Sequence, residues 1–344
     1  MIDLRSDTMT RPCKKMRAAI SAAEVGDDMY GEDPSVNRLQ AIAAELSGKQ
    51  AALFVPTGTM ANQIAIKIQS NPGESIICGA NSHHWKYEAG AAGFISSVQV
   101  IVIPGDGRFD AHELRNHILP DLPFYSPTRL LSIENSHNDG GGAIWESKSL
   151  AEVLAVAKEQ DLACHLDGAR LWNVSAATGR SIAQLAEGFD TVSLCLSKGL
   201  GAPIGSLLCG SNQLIARAQR VRRMLGGAMR QAGILAAAGI YAIKHNRTRL
   251  IEDHDNAKTL AQSLAKIPVL HIDPNDIHTN IVMVNIKNSK IEAPRLAVLC
   301  AERGLQFFAL GPHRFRLVTH LDVSHEDCVQ AARIISASCE RYAS

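Results

Sequence analysis

The sequence predicts an α/β fold built on a largely parallel sheet, and three observations carry that expectation. Short apolar runs alternate with stretches of helical periodicity along most of the chain. The composition is that of an ordinary globular protein, 46% hydrophobic and 20% charged over 344 residues. Polar and ionisable residues stand at the C-terminal ends of the apolar runs, where the ligand crevice of an open α/β sheet lies.

The runs 51–56 (AALFVP), 75–79 (SIICG), 98–104, 128–135, 162–167 (LACHLD), 191–197 (TVSLCLS) and 205–210 read as strands. Helical spacing is expected over 58–69 and 147–159, with a shorter helix at 179–188. A helix-forming stretch rich in Ala, Leu and Ile runs from Gly233 toward 266. Beyond Pro268 the pattern changes to HTNIVMVNI, a helix at 292–303, FRLVTH and a closing helix from about 324. The expected division is a large α/β domain over 15–248. A smaller α+β domain over 249–344 includes the N-terminal segment 1–14.

The formal charge is +1, from 35 basic and 34 acidic side chains, so neither nucleic acid nor an anionic membrane is expected as a partner. Arg217, Arg220, Arg222 and Arg223 cluster, which reads as the solvated face of a helix. No apolar run reaches membrane-spanning length, and MIDLRSDTMTRP resembles neither a signal nor a transit peptide. The eight cysteines form no CxxC pair and mostly lie in apolar runs, which fits a reducing cytoplasm.

Lys198 ends an apolar strand and enters a glycine-rich turn, SKGLGAPIGS. Desolvation there favours a neutral amine able to form a Schiff base; the same stretch also reads as a surface lysine at a strand end. Asp167 closes the strand LACHLD. A buried carboxylate needs a cation, and either a protonated pyridine nitrogen or nearby Arg170 could serve. In PTGTMAN (56–62), Gly58 permits close backbone approach and Thr59 offers a hydroxyl at a helix N-terminus suited to phosphate; an ordinary N-capped turn reads the same way. His83 follows the next strand and could stack on a planar ring, or simply pack, as one of 13 histidines. Phosphate anchor, stacking ring, pyridine-nitrogen acid and imine lysine then follow in chain order, the constellation of a pyridoxal 5'-phosphate enzyme.

Several longer blocks carry a resemblance. DLRSDTMTRP, GDDMYGEDP (26–34), PTGTMAN, HHWKYEAG (83–90), IENSHN (133–138), HLDGARLWN (165–173), GGAMRQAGILAAAGIYA (226–242) and RLVTHLDV (316–323) are similar to the low-specificity L-threonine aldolases of the threonine aldolase/β-eliminating lyase family. The resemblance spans nearly the whole chain. It implies fold type I of the pyridoxal-phosphate enzymes, aspartate aminotransferase-like, with a mostly parallel seven-stranded sheet in the large domain. It also implies a homotetramer with active sites at subunit interfaces.

By this resemblance Lys198 carries the cofactor, Asp167 meets its ring nitrogen and His83 stacks on it. Gly58, Thr59, Ser197, Arg170 and Arg230 join the cofactor site. Ser6, Tyr30, Arg170 and Arg316 bind substrate, with Tyr30 and Arg230 presented across the subunit interface. The implied reaction is retro-aldol cleavage of threonine, allo-threonine or a related β-hydroxy-α-amino acid to glycine and an aldehyde. One position departs. Where the family commonly has a histidine four residues before the threonine opening the IEN strand, this chain has Phe124 before Thr128. That substitution leaves His83, directly or through water, as the expected base at the β-hydroxyl, and suggests a bulkier, aryl β-substituent. Other cofactor-sharing reactions remain open: β-elimination, transamination or racemisation. A metal-dependent hydrolase lacks an HxxxH pattern to support it. A catalytically silent interaction protein would bind no cofactor.

Overall fold

A computed structural model describes residues 1–287 and 290–343, with the side chains of 342 and 343 outside the description. Residues 288, 289 and 344, which belong to the expected small domain, lie outside the described residues.

Seven strands form the main sheet: β1 (Ala51–Val55), β2 (Ser75–Gly79), β3 (Gln99–Ile103), β4 (Thr128–Glu134), β5 (Ala163–Gly168), β6 (Thr191–Cys195) and β7 (Ser206–Gly210). Their order across the sheet is β1-β7-β6-β5-β4-β2-β3. Only β7 runs against its neighbours, so the other six strands end on the same edge. This is the α/β architecture expected from the alternating pattern. Strands β2, β6 and β7 are buried along their whole length, as continuous apolar runs covered on both faces require. Leu166, Val192 and Leu194 are fully buried, each contributing about 1.5–3 kcal/mol through removal of apolar surface from water.

The helices Gly58–Gln69 and Ser147–Glu159 fall where the periodicity put them. The stretch after Gly233 is two helices, Gly233–Asn246 and Leu250–Leu264, rather than one continuous element. Within 179–188 only Ile182–Leu185 is helical, and Leu171–Thr178 forms a separate helix before it. Arg222 departs from the solvated-face reading. It is buried on the helix Asn212–Met224, pairs with Asp28 at 2.8 Å and donates to the Phe54 carbonyl, while Arg217, Arg220 and Arg223 are exposed.

A second, antiparallel sheet orders Phe308–Ala309, Arg314–Val318, Ile281–Ile286 and Leu270–His271. Its core joins Leu4 to residues between Ala257 and Cys339, whereas the main core runs from Met16 to Leu250. The N-terminal segment pairs Ile2–Asp3 with Leu305–Gln306. It then crosses to the main sheet, where Thr10 Oγ1 donates to the Lys198 carbonyl at 3.0 Å. That crossing carries Ser6 and Asp7 to the strand ends. No helix among the described residues is long and apolar enough to cross a membrane.

Candidate active site

Two adjoining cavities of about 320 Å³ each open at the common edge of the main sheet, and both are lined by His83, Ala169 and Lys198. One adds Thr57, Gly58, Thr59, Asn62, Asp167 and Ser197. The other adds Ser6, Tyr87, Glu134, Asn138, Arg170 and Arg316.

Asp167 sits near the end of β5, buried. Its Oδ2 accepts from Asn62 Nδ2 at 2.8 Å, and its Oδ1 from the Ala169 N–H at 3.0 Å. A Cβ on Gly168 would lie 2.3 Å from the Ser193 carbonyl oxygen, so glycine permits this close approach of β5 and β6 beside the acid. Burial works to raise the Asp167 pKa, but the charges of His83 and Lys198 and the Asn62 hydrogen bond outweigh it, and the carboxyl is held below its ordinary value. Arg170 is not its partner. Its guanidinium pairs with Asp7 instead, Nε to Oδ2 at 2.7 Å and Nη2 to Oδ1 at 2.8 Å. Among the described residues no Lys, Arg or His nitrogen forms an ion pair with Asp167 within 4.0 Å.

The helix Gly58–Gln69 begins in the lining of the first cavity. Thr57 rather than Thr59 is its cap, accepting from the Met60 N–H at 3.1 Å. The first-turn N–H groups have no carbonyl within the helix to bond. A Cβ on Gly58 would meet nothing within 4 Å apart from its chain neighbours and its own helix, so this turn faces open space. Ser197, after β6, lines the same cavity.

His83 opens a short helix, His83–Lys86, directly after β2. Its backbone N–H donates to Glu134 Oε2 at 2.8 Å, and its Nδ1 lies 2.8 Å from Glu88 Oε1. Burial depresses the imidazole pKa, but the Glu88 hydrogen bond and the charges of Asp167 and Glu88 prevail, and the net shift is upward.

In the second cavity Arg170 Nη1 and Arg316 Nη1 both donate to Asn138 Oδ1, at 3.1 and 2.9 Å. Buried Arg316 Nε has no protein partner among the described residues. Ser6 lines the same space, its Oγ accepting from the Thr8 N–H at 3.2 Å. Two half-free guanidinium groups and a hydroxyl suit a carboxylate.

Not every expected residue reaches a cavity. Arg170 lines the second cavity and not the first, drawn there by Asp7. Arg230 and Tyr30 line neither. Arg230 is exposed and pairs with Asp27 at 3.1 Å, close in sequence to Tyr30, which is 75% exposed. Phe124 is 78% exposed, packs beside Tyr125 and also lines neither cavity. Conversely, Asn62, Glu88, Asn138 and Asp7 hold the site together without having been singled out. All four fall within quoted motifs, but Asp7 and Asn138 bond to Arg170, which is remote in sequence.

The donor set fits pyridoxal phosphate. An ionised, buried carboxylate without an ion-pair partner suits a protonated pyridine nitrogen, the open helix N-terminus suits phosphate, and Lys198 lies between. Fold and site together define a pyridoxal-phosphate enzyme of fold type I. The β-eliminating lyase family model matches residues 3–289. The chain is 45% identical over 336 residues to the low specificity L-threonine aldolase of Escherichia coli (strain K12), covering 96% of this chain and 97% of that protein. It is 38% identical to low-specificity L-threonine aldolase 1 of Arabidopsis thaliana, covering 95% and 93%. The chain therefore belongs to the threonine aldolase/β-eliminating lyase family. A Leishmania major threonine aldolase shares the fold, with a TM-score of 0.83 at 18% identity and coverage of 99% and 100%.

Proposed function

We propose that the protein is a pyridoxal-phosphate-dependent aldehyde-lyase that cleaves threonine, allo-threonine or a related β-hydroxy-α-amino acid to glycine and an aldehyde. The observation that carries this reading is the pair of cavities meeting at His83 and Lys198, one built for the cofactor and one for a carboxylate. Lys198 would hold the cofactor's aldehyde carbon, Asp167 its ring nitrogen, His83 its face, and Gly58, Thr59 and Ser197 its phosphate. Bound there, the cofactor supplies a protonated ring that accepts the electrons released at the substrate Cα.

Arg316 and Arg170, with Ser6, anchor the substrate carboxylate and so fix which bond at Cα faces the ring. His83 lies on the boundary of the cavities, where its Nε2 can take the proton of the β-hydroxyl, directly or through one water. Loss of that proton breaks the Cα–Cβ bond, the β-carbon leaves as an aldehyde, and a proton returned to Cα completes glycine.

The assembly is a homotetramer in which Tyr30 and Arg230 face a neighbour's site. Their exposure, and the fact that they line neither cavity in the single chain, support this. Seven buried free thiols fit a reducing cytoplasm. Phe124 directs preference toward aryl β-substituents, reaching a site only through the assembly. Product analysis tests the reaction: incubation with L-threonine, L-allo-threonine and phenylserine should yield glycine and an aldehyde in equal amounts. A keto acid with ammonia instead would assign β-elimination. A clear kcat/KM preference for threonine over phenylserine would remove Phe124 from the specificity reading.

A further inference from the structure

We propose that Glu88 is a positioning residue for this reaction: its carboxylate fixes the ring orientation and tautomer of His83 and, through Asn62, ties that ring to Asp167. The inference rests on the base role proposed for His83. Glu88 lies in the bend just beyond the short helix His83–Lys86, and its side chain is turned inward and fully buried. Its Oε1 faces His83 Nδ1 at 2.8 Å and accepts from Asn62 Nδ2 at 3.0 Å, while Oε2 accepts from Gln63 Nε2 at 2.7 Å. A carboxylate can only accept, so the imidazole donates from Nδ1, leaving Nε2 for the cavity.

Asn62 makes the arrangement rigid. Its Nδ2 donates both to Glu88 Oε1 and to Asp167 Oδ2, at 3.0 and 2.8 Å. Its Oδ1 accepts from Ser193 Oγ at 3.2 Å and faces His165 Nε2 at 3.1 Å. A flipped amide would turn its oxygen toward two carboxylates, so the orientation is set. One buried amide thus joins the acid at the cofactor nitrogen to the partner of the proposed base.

The charged and titratable groups around His83 come from several elements. Glu88, His84 and Tyr87 lie on its own segment, Glu134 at the end of β4, Asp167 at β5, Lys198 after β6, and Arg170 and Arg316 across the second cavity. Of the acids among the described residues, Glu88 alone bonds the ring. A carboxylate on Nδ1 keeps an imidazole in one tautomer and stabilises its protonated form during transfer.

Glu88→Gln removes the charge and keeps the shape. The new amide oxygen can face His83 and Asn62, and its nitrogen meets Gln63, whose Oε1 is free of protein partners among the described residues and can accept after a flip. Purified holoenzyme should retain its cofactor absorbance, while plateau kcat falls about ten-fold or more with little change in KM. The acid limb of the kcat profile should move down by about one pH unit. The His83 resonance of isotope-labelled histidine, assigned with His83→Asn, should shift its titration in step. Glu88→Ala is the second arm: added formate should restore part of its turnover. The proposal falls if the E88Q acid limb and His83 titration overlay the wild type, or if formate restores nothing to E88A. If His83 titration shifts as expected but wild type forms no glycine from β-hydroxy amino acids, the Glu88–His83 coupling stands and the proposed reaction falls.

Discussion

Arg170 and Asp7, 163 residues apart, form a bidentate ion pair in which neither side chain exceeds 4% exposure. The pair ties the N-terminal segment to the helix that follows Asp167, and Asn280 Nδ2, just before the strand Ile281–Ile286, adds a third hydrogen bond to Asp7 at 3.1 Å. Arg170 is thereby left with one N–H on each Nη for other partners, since Asn138 takes a further one.

Asp7→Asn should leave a buried guanidinium without its counter-charge and destabilise the fold by about 3 kcal/mol. Burial works to raise the Asp7 pKa, but Arg170, Lys198 and Asn280 hold it at about 2 against an ordinary 3.8. Because the folded-state value is the lower one, this stabilisation is present above the ordinary carboxylate range and is lost as pH falls from about 4 toward 2. Its size is about 2 kcal/mol. Urea unfolding across this range should show the variant losing less stability than the wild type; parallel curves would contradict the assignment.

His83→Asn should lower kcat by about 10²–10⁴-fold while the cofactor stays bound. A base must be unprotonated, and the His83 pKa lies above 6.5. Activity should therefore fall as pH drops through a midpoint above that value. An acid limb centred well below 6.5, or turnover unchanged in the variant, would take His83 out of this role.

Tyr30 offers a test of the assembly. If it serves a neighbour's site, Tyr30→Ala and Lys198→Ala subunits, each weakly active or inactive alone, should regain activity when dissociated, mixed and reassembled. A hybrid can then contain a site with an intact Tyr30 and an intact Lys198. No gain on mixing would place Tyr30 outside catalysis in the partner.

The sheet was legible because each strand is a short apolar run bounded by turn residues or helix starts. All seven strands of the main sheet lie within a residue or two of the expected spans. The residues after β1, β2, β5 and β6 were legible because strand ends are where an α/β sheet binds. Glu88 was not. A lone acid at the end of HHWKYEAG looks like any solvated helix terminus, and only the inward turn of the chain buries it. Asp7 and Asn138 were hidden by distance, because their partner Arg170 comes from another element. Thr57 and Thr59 look equivalent in PTGTM; backbone geometry makes the first the cap. Tyr30, Arg230 and Phe124 are marked by the resemblance alone, and all three lie exposed in the single chain.

The most direct test of the account is borohydride reduction of the purified holoenzyme followed by mass spectrometric mapping. The cofactor should be fixed covalently on the peptide containing Lys198, with loss of the visible absorbance band, and Lys198→Ala should show neither the band nor the adduct. Attachment at another lysine, or a colourless wild-type enzyme that takes up no pyridoxal phosphate, would contradict it.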